Sequence, residues 1–359
     1  MKGYLLLEDG TTYEGSLFGS QNPACGELVF NTSMTGYQEI LTDPSYWRQN
    51  VVLTFPEIGI YGTCPDWSES ELGHASGMIV RNFTESTAHR LSTSSFGELL
   101  KEKQIPVLSG LDTRALTIKI REKGPQKSLI ASADLSKDRA IEIMKATPSM
   151  EGANLVPDVS CSKMLIHGTG KWNVGLIDYG VKKSIIRQLV SRDCTVYQFP
   201  WDTPFKSLNQ INLHGFLLSN GPGDPAAVPG VRETIKSCHN LLPTMGICLG
   251  YQLLALSLGA STYKLPFGHR GGNHPVKDLL YNRVMITAQN HGFAVDPDSF
   301  SAEQVSLTHT SLFDGSLEGF QLNEFPAFGV QFHPEAGPGP SDALKLFDQF
   351  IKSMEEFHA

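Results

Sequence analysis

From residue 172 to residue 259 the chain alternates short apolar runs with amphipathic stretches, and this rhythm restricts the possible folds more than any other feature. WNVGLIDYG, CTVYQFP, HGFLLSN and LLPTMGI read as strands, whereas VKKSIIRQLVSRD and LGYQLLALSLG read as helices. Strands that are apolar along their whole length need cover on both faces. The pattern therefore predicts βαβ units around a buried, mostly parallel sheet. Residues 262–330 read as hairpins, and SDALKLFDQFIKSMEEF as a closing helix.

The preceding part keeps a different rhythm. YLLLEDGTTYEG reads as two strands around an Asp-Gly turn, and GELVFNT, QNVVLTFP, ASGMIVRN, IPVLSG and KSLIASA as further strands. SFGELLKEKQ, DTRALTIKIREKG and SKDRAIEIMKA carry helical spacing, the last with Ser136 as N-cap. Residues 148–171 show no sustained period and are rich in Gly, Pro, Ser and Asn, the composition of a linker. At roughly 100–200 residues per domain, the 359 residues divide into an α+β domain (1–147), a linker (148–171) and an α/β domain (172–359).

Bulk properties remove several classes of function. A formal charge of -8 is the wrong sign for a nucleic-acid partner, which calls for clustered Lys and Arg. The opening apolar run stops at Glu8 and Asp9, too early for a signal peptide. No run approaches the roughly 18–20 apolar residues of a membrane span. The six cysteines contain no CxxC pair, which reads as reduced thiols in a cytoplasmic protein, with no zinc site and no metal expected.

One cysteine stands apart. Gly246-Ile-Cys248-Leu-Gly250 lies where the strand LLPTMGI turns into the helix LGYQLLALSLG, and has the G-x-nucleophile-x-G form of a nucleophile elbow with cysteine as nucleophile. A helix N-terminus favours thiolate over thiol, and the amide of Leu249, lacking an intrahelical acceptor, is available to an oxyanion. A buried cysteine in a tight turn is the competing reading. His333, at the end of AFGVQFHPE, supplies a base, and Glu335 shares its side of an extended segment and can fix its tautomer. By itself, His-Pro-Glu reads more readily as a loop. SNGPGDP (with Gly221 and Gly223) and AQNHGFAV (with Asn290, Gly292 and Phe293) offer backbone groups to a small polar ligand, or are plain turns.

Together GICLG, NGPGDP and FHPE resemble the class I (triad) glutamine amidotransferases over about residues 172–359. LEDGTTYEG, GELVFNTSMTGYQEILTDPSYWRQNVVLTFPEIGIYG, GLDTRALT, FGHRGGNHPV and HPEAGPGP extend the likeness to the small-chain family of carbamoyl phosphate synthetases, over nearly the whole chain. That resemblance implies Cys248 as nucleophile, His333 as base and Glu335 as its orienting carboxylate. It also implies glutamine contacts at Ser45, Gly221, Gly223, Leu249, Gln252, Asn290, Gly292 and Phe293. The chain departs from the family pattern at Ile60, Ile118, Lys127, Ser128 and Tyr251, none of them in the triad.

The chemistry expected is thiolate attack on the glutamine amide, release of ammonia and hydrolysis of a thioester to glutamate. The chain has no GxxxxGK[ST] loop, so no cofactor is expected here. The resemblance places ATP and Mg²⁺ in a separate large synthetase chain, which receives the ammonia and makes carbamoyl phosphate. Two rivals are a stand-alone cysteine hydrolase of γ-glutamyl compounds, which needs no N-terminal domain, and a non-catalytic regulatory subunit, which would not need Cys248 or His333.

Overall fold

A computed structural model describes residues 1–301 and 303–359. The chain forms two compact units, Met1–Met150 and Glu151–Ala359. The first is α+β as expected, but its strands close into a barrel in the order Lys2–Leu7, Thr12–Gly19, Pro106–Ser109, Gly77–Val80, Gln49–Leu53, Ala24–Asn31 and Gln126–Ser132. Strands distant in sequence pair in parallel across half of it, a register that alternation along one strand cannot reveal. The Asp-Gly hairpin forms with Leu6 opposite Thr12 and Gly10 at φ 83°. All three expected helices form. Ser95 and Glu98 make a capping box, Asp112 accepts from the Ala115 amide, and Ser136 accepts from the Arg139 amide. A short helix, Tyr37–Thr42, was not expected; its N-cap is Gly36 in the left-handed region, and six residues carry too little periodicity to read.

The second unit is built on one twisted sheet. Cys194–Pro200, Trp172–Asp178, Gly215–Leu218, Thr244–Ile247 and Ala327–Val330 run parallel, in that order. Leu317–Leu322, Arg283–Val295 and Thr262–Asp278 extend it as antiparallel neighbours. Two clusters of buried side chains fill its two faces, one around Leu253, Tyr251 and Phe216, the other around Phe347, Val330 and Leu176. Parallel strands buried on both sides explain the continuous apolar runs seen in the sequence.

Residues 151–171 are not a free linker. Leu165–His167 adds an antiparallel strand at the sheet edge, Ala153 O accepts from the Asp224 amide at 3.1 Å, and the Cys161 amide donates to Asp178 at 2.8 Å. These ties are polar and local, so no hydrophobic period announces them. Helix Val231–His239 also escaped the sequence reading. Among the described residues no helix is long and apolar enough to cross a membrane.

Candidate active site

The carboxyl ends of the parallel strands gather the residues singled out in the second unit. Strand Thr244–Ile247 ends at Cys248, and helix Leu249–Ser257 starts immediately after it. Cys248 has φ 53° and ψ -106°, outside the regions a side chain favours. Such backbone costs on the order of 1–3 kcal/mol and persists only where the surroundings fix it. Here the Cys248 amide donates to Val330 O and the Gly250 amide to Ser219 O, both at 2.9 Å. Both glycines are demanded by the corner. A Cβ at Gly246 would sit 2.9 Å from the Gly250 carbonyl, and one at Gly250 would sit 2.1 Å from Leu218 O. The G-x-C-x-G spacing is thus a packing requirement of a strand that turns sharply into a helix.

Three side chains converge beside this corner. His333 is tied to the neighbouring strand by its amide, 2.8 Å from Ala288 O. Its Nδ1 lies 2.6 Å from Glu335 Oε1; the carboxylate can only accept, so Nδ1 carries the proton and Nε2 faces away from Glu335. Glu335 and His333 are both buried. Burial opposes charge on the imidazole, but the Glu335 carboxylate and the Cys248 sulfur outweigh it and raise the ring above its usual value. Burial likewise opposes the Glu335 carboxylate, yet Lys182 and His333 hold its carboxyl down at about 2. Cys248 Sγ lies 3.7 Å from both Asn290 O and Gln331 Nε2.

Lys182 and Gln331 are components that sequence reasoning missed. The Lys182 ammonium, almost wholly buried, donates to Glu335 Oε1 at 2.9 Å and to Ala336 O at 2.6 Å. It sits just after strand Trp172–Asp178, among lysines that looked like an ordinary helix start, and its pairing spans 153 residues of sequence. Gln331 was within reach of the period-two rule that found Glu335, since positions 331, 333 and 335 alternate with Phe332 and Pro334.

The remaining expected residues of this unit fall around the same corner. Leu249 opens the helix, so its amide has no intrahelical acceptor. Gly221 and Gly223 lie in the loop after Gly215–Leu218, where side chains would meet Tyr179 O at 2.1 Å and Ala153 O at 2.8 Å. Close backbone packing therefore requires these glycines whether or not a ligand approaches. Asn290, Gly292 and Phe293 are not in a turn; they continue strand Arg283–Val295 past the thiol. Gln252 Nε2 donates to Phe293 O and Gln331 Oε1 at 2.8 and 2.9 Å, fastening that strand to the elbow helix.

Ser45 belongs to the first unit, in the turn Pro44–Tyr46, where its amide donates to Asp43 Oδ1 at 2.8 Å. Of the departures from the family pattern, Tyr251 is wholly buried against Phe320. Ser128 is buried and bonds Asn50 and Gly26, and Lys127 Nζ donates to Thr147 O. Ile60 and Ile118 lie at the surface.

Comparison with known proteins covers both units. Residues 175–353 match the glutamine amidotransferase class-I family, and residues 5–130 match the carbamoyl-phosphate synthase small chain, CPSase domain. The chain is 44% identical to the carbamoyl phosphate synthase small chain of Clostridium acetobutylicum over 98% of its own length and 99% of that protein. It is 46% identical to the small chain of Yersinia pseudotuberculosis, covering 99% of this chain and 95% of that one.

Proposed function

The chain belongs to the carbamoyl phosphate synthase small-chain family, and we propose that it serves there as the glutaminase subunit, with Cys248, His333 and Glu335 performing the hydrolysis. The observation that carries this reading is the Cys248 corner, a strained thiol-bearing turn beside an imidazole whose tautomer a buried carboxylate fixes. In the first step Sγ attacks the side-chain amide carbon of glutamine and a C–S bond forms. The developing oxyanion is met by the Leu249 amide, with Gly223 as second donor. His333 passes a proton to the departing nitrogen, and ammonia leaves as the C–N bond breaks. Water, deprotonated by His333, then cleaves the thioester to glutamate and returns the thiol. Gly221, Gln252, Asn290, Gly292 and Phe293 line the glutamine position. Ammonia protonates readily in water and loses its nucleophilicity, so it must pass under cover to a large synthetase chain, which supplies the ATP-dependent steps with Mg²⁺.

Brief labelling with a glutamine-like electrophile, followed by peptide mapping, tests the assignment. Cys248 should carry the label. Burial pushes the Cys161 and Cys194 thiols up to about 12 and raises Cys25 and Cys238 as well, which keeps these four protonated and slow. Label concentrated on any of these or on Cys64 would remove Cys248 from the nucleophile role.

Ser45 is proposed as a glutamine contact from the family resemblance. Ser45→Ala should raise the glutamine KM by the worth of one hydroxyl hydrogen bond, about 0.5–1.5 kcal/mol, with Tm unchanged. An unaltered KM in a stable variant would strike Ser45 from the substrate contacts.

A further inference from the structure

His269, His291 and Glu318 lie on adjacent antiparallel strands of the second unit, and the mechanism above uses none of them. His269 and His291 are paired directly across strands Thr262–Asp278 and Arg283–Val295, and Glu318 is on Leu317–Leu322, which pairs with the same end of Arg283–Val295. The register slips on both sides of His269, between Lys264 and His269 and again between Gly271 and His274. Irregularities of this kind re-aim a side chain, and here the ring turns inward, its centroid 5.0 Å from that of His291. All three side chains are buried, and among the described residues His269 Nδ1, His291 Nε2 and Glu318 Oε1 have no hydrogen-bond partner.

The opposite edges of the same groups are all engaged. His291 Nδ1 lies 2.8 Å from Phe293 O, which can only accept, so Nδ1 holds the proton and Nε2 presents a lone pair. His269 Nε2 lies 2.9 Å from the Asp314 carboxylate, which leaves the lone pair of a neutral ring on Nδ1. Glu318 Oε2 accepts from Gln289 Nε2 at 2.8 Å, leaving Oε1 free. Three buried acceptors thus face one another within 4.8 Å. The His269–Glu318 and His291–Glu318 separations are 3.4 and 3.9 Å, longer than the usual distance of about 2.7–3.2 Å for an N–H···O hydrogen bond. They are close to the separation of about 3.3–3.6 Å between neighbouring ligands around a tetrahedral ion with bonds of about 2.0–2.2 Å.

We propose that His269, His291 and Glu318 form a binding site for a divalent transition ion of the zinc type, with a water as fourth ligand. Two imidazoles and one carboxylate favour such an ion over Mg²⁺ or Ca²⁺, which take oxygen ligands. The outer contacts have the form that tunes a metal site: each ring donates through its other nitrogen to a carbonyl or carboxylate, and an amide fixes the glutamate. The Asp314 carboxylate, bonded to His269, is partly exposed. The Arg270 guanidinium is close enough to disfavour a protonated His291, while Glu318 and Asp314 bring two carboxylates to His269. A proton is the competing occupant. It could bridge only the His269–Glu318 edge and would leave His291 Nε2 unpartnered. The sequence gives no sign of this site, because 21 and 26 residues separate its ligands and no local spacing links them. Bound metal would clamp His291 and with it the neighbouring Asn290, whose carbonyl lies 3.7 Å from Cys248 Sγ.

The test measures metal binding and stands whether or not glutamine is the substrate. Untagged full-length chain carrying Cys248→Ser, so that the thiol–imidazole pair cannot compete, is stripped with a chelator and titrated with Co²⁺. About one ion per chain should bind, with visible bands of a four-coordinate nitrogen–oxygen site and no sulfur-to-cobalt absorption, and Zn²⁺ should displace it. Zn²⁺ should also raise Tm, because only the folded chain presents the site. Glu318→Gln in the same background should weaken binding by at least about 10–100-fold. Equal binding with Glu318→Gln overturns the proposal. If that variant fails to fold, the parent titration decides alone: no Co²⁺ uptake and no Zn²⁺-dependent rise in Tm would mean that a shared proton occupies the triangle.

Discussion

A two-chain complex carrying Cys248→Ser should lose glutamine-dependent carbamoyl phosphate synthesis and keep most of its ammonia-dependent synthesis. The substitution preserves the volume of the elbow, whose geometry is set by the close approach of Gly246 and Gly250 to neighbouring backbone. It replaces a thiol with an alcohol, a far weaker acid and a much poorer nucleophile at neutral pH. His333 should not rescue the alcohol, because an imidazole placed to serve a thiol is poorly matched to the far less acidic hydroxyl. Glutamine should still bind, since the proposed contacts in the Gly221–Gly223 loop and the Asn290–Phe293 strand are unchanged. Added ammonia enters downstream of the missing step. Both activities are read in one preparation, and loss of both from a correctly assembled complex would place synthetase chemistry in this chain and overturn the proposed division of labour.

His333→Asn should lower glutamine hydrolysis by about 10²–10⁴-fold, the usual worth of a positioned general acid–base group. Glu335→Gln should lower it far less, for a reason visible at one atom. Lys182 Nζ and His333 Nδ1 both donate to Oε1 of Glu335. In Glu335→Gln the ammonium selects the amide oxygen for that position, so the oxygen still accepts from His333 and its tautomer is kept. Without a cation there, the amide could turn its NH₂ toward the ring and fix the wrong tautomer, the costly outcome known for triads in which an orienting aspartate becomes asparagine. The double variant Lys182→Met with Glu335→Gln should therefore lose much more activity per folded molecule than Glu335→Gln alone. Equal losses in the single and double variants would show that Lys182 does not direct the amide.

Stability should move differently from activity. Glu335→Gln leaves the Lys182 ammonium buried without its anion, a loss of up to about 3–5 kcal/mol. With its carboxyl held at about 2 against an ordinary value of 4.5, the stabilisation that Glu335 contributes is complete above 4.5 and is lost as the pH falls toward 2. The Tm gap between parent and Glu335→Gln should narrow over that acid range. His333 has the opposite sign: its raised value gives stabilisation complete below 6.5 and lost only as the pH rises through the raised value.

How much was legible in the sequence depended on how far apart the cooperating residues lie. Most strands and helices of both units were readable because period and capping residues act over a few positions, as at Ser136 and Arg139; Tyr37–Thr42 and Val231–His239 were not. The barrel closure was not, because parallel pairing between Ala24–Asn31 and Gln49–Leu53 leaves no mark within either strand. The stretch Asn290–Phe293 read as a turn because Asn and Gly are common there, yet pairing with Thr262–Asp278 keeps it extended.

The sequence by itself determined the elbow, through a G-x-C-x-G spacing where an apolar strand gives way to a helix, and it determined the His333–Glu335 pairing through a separation of two along extended chain. Tertiary structure alone decided which groups surround them. Lys182 on Glu335, Gln331 against Cys248 Sγ and the inward triangle of His269, His291 and Glu318 each depend on burial. The physical reason is that periodicity reports which face of an element is apolar, whereas the partner of a buried polar group is fixed only when distant strands come into register and water is excluded.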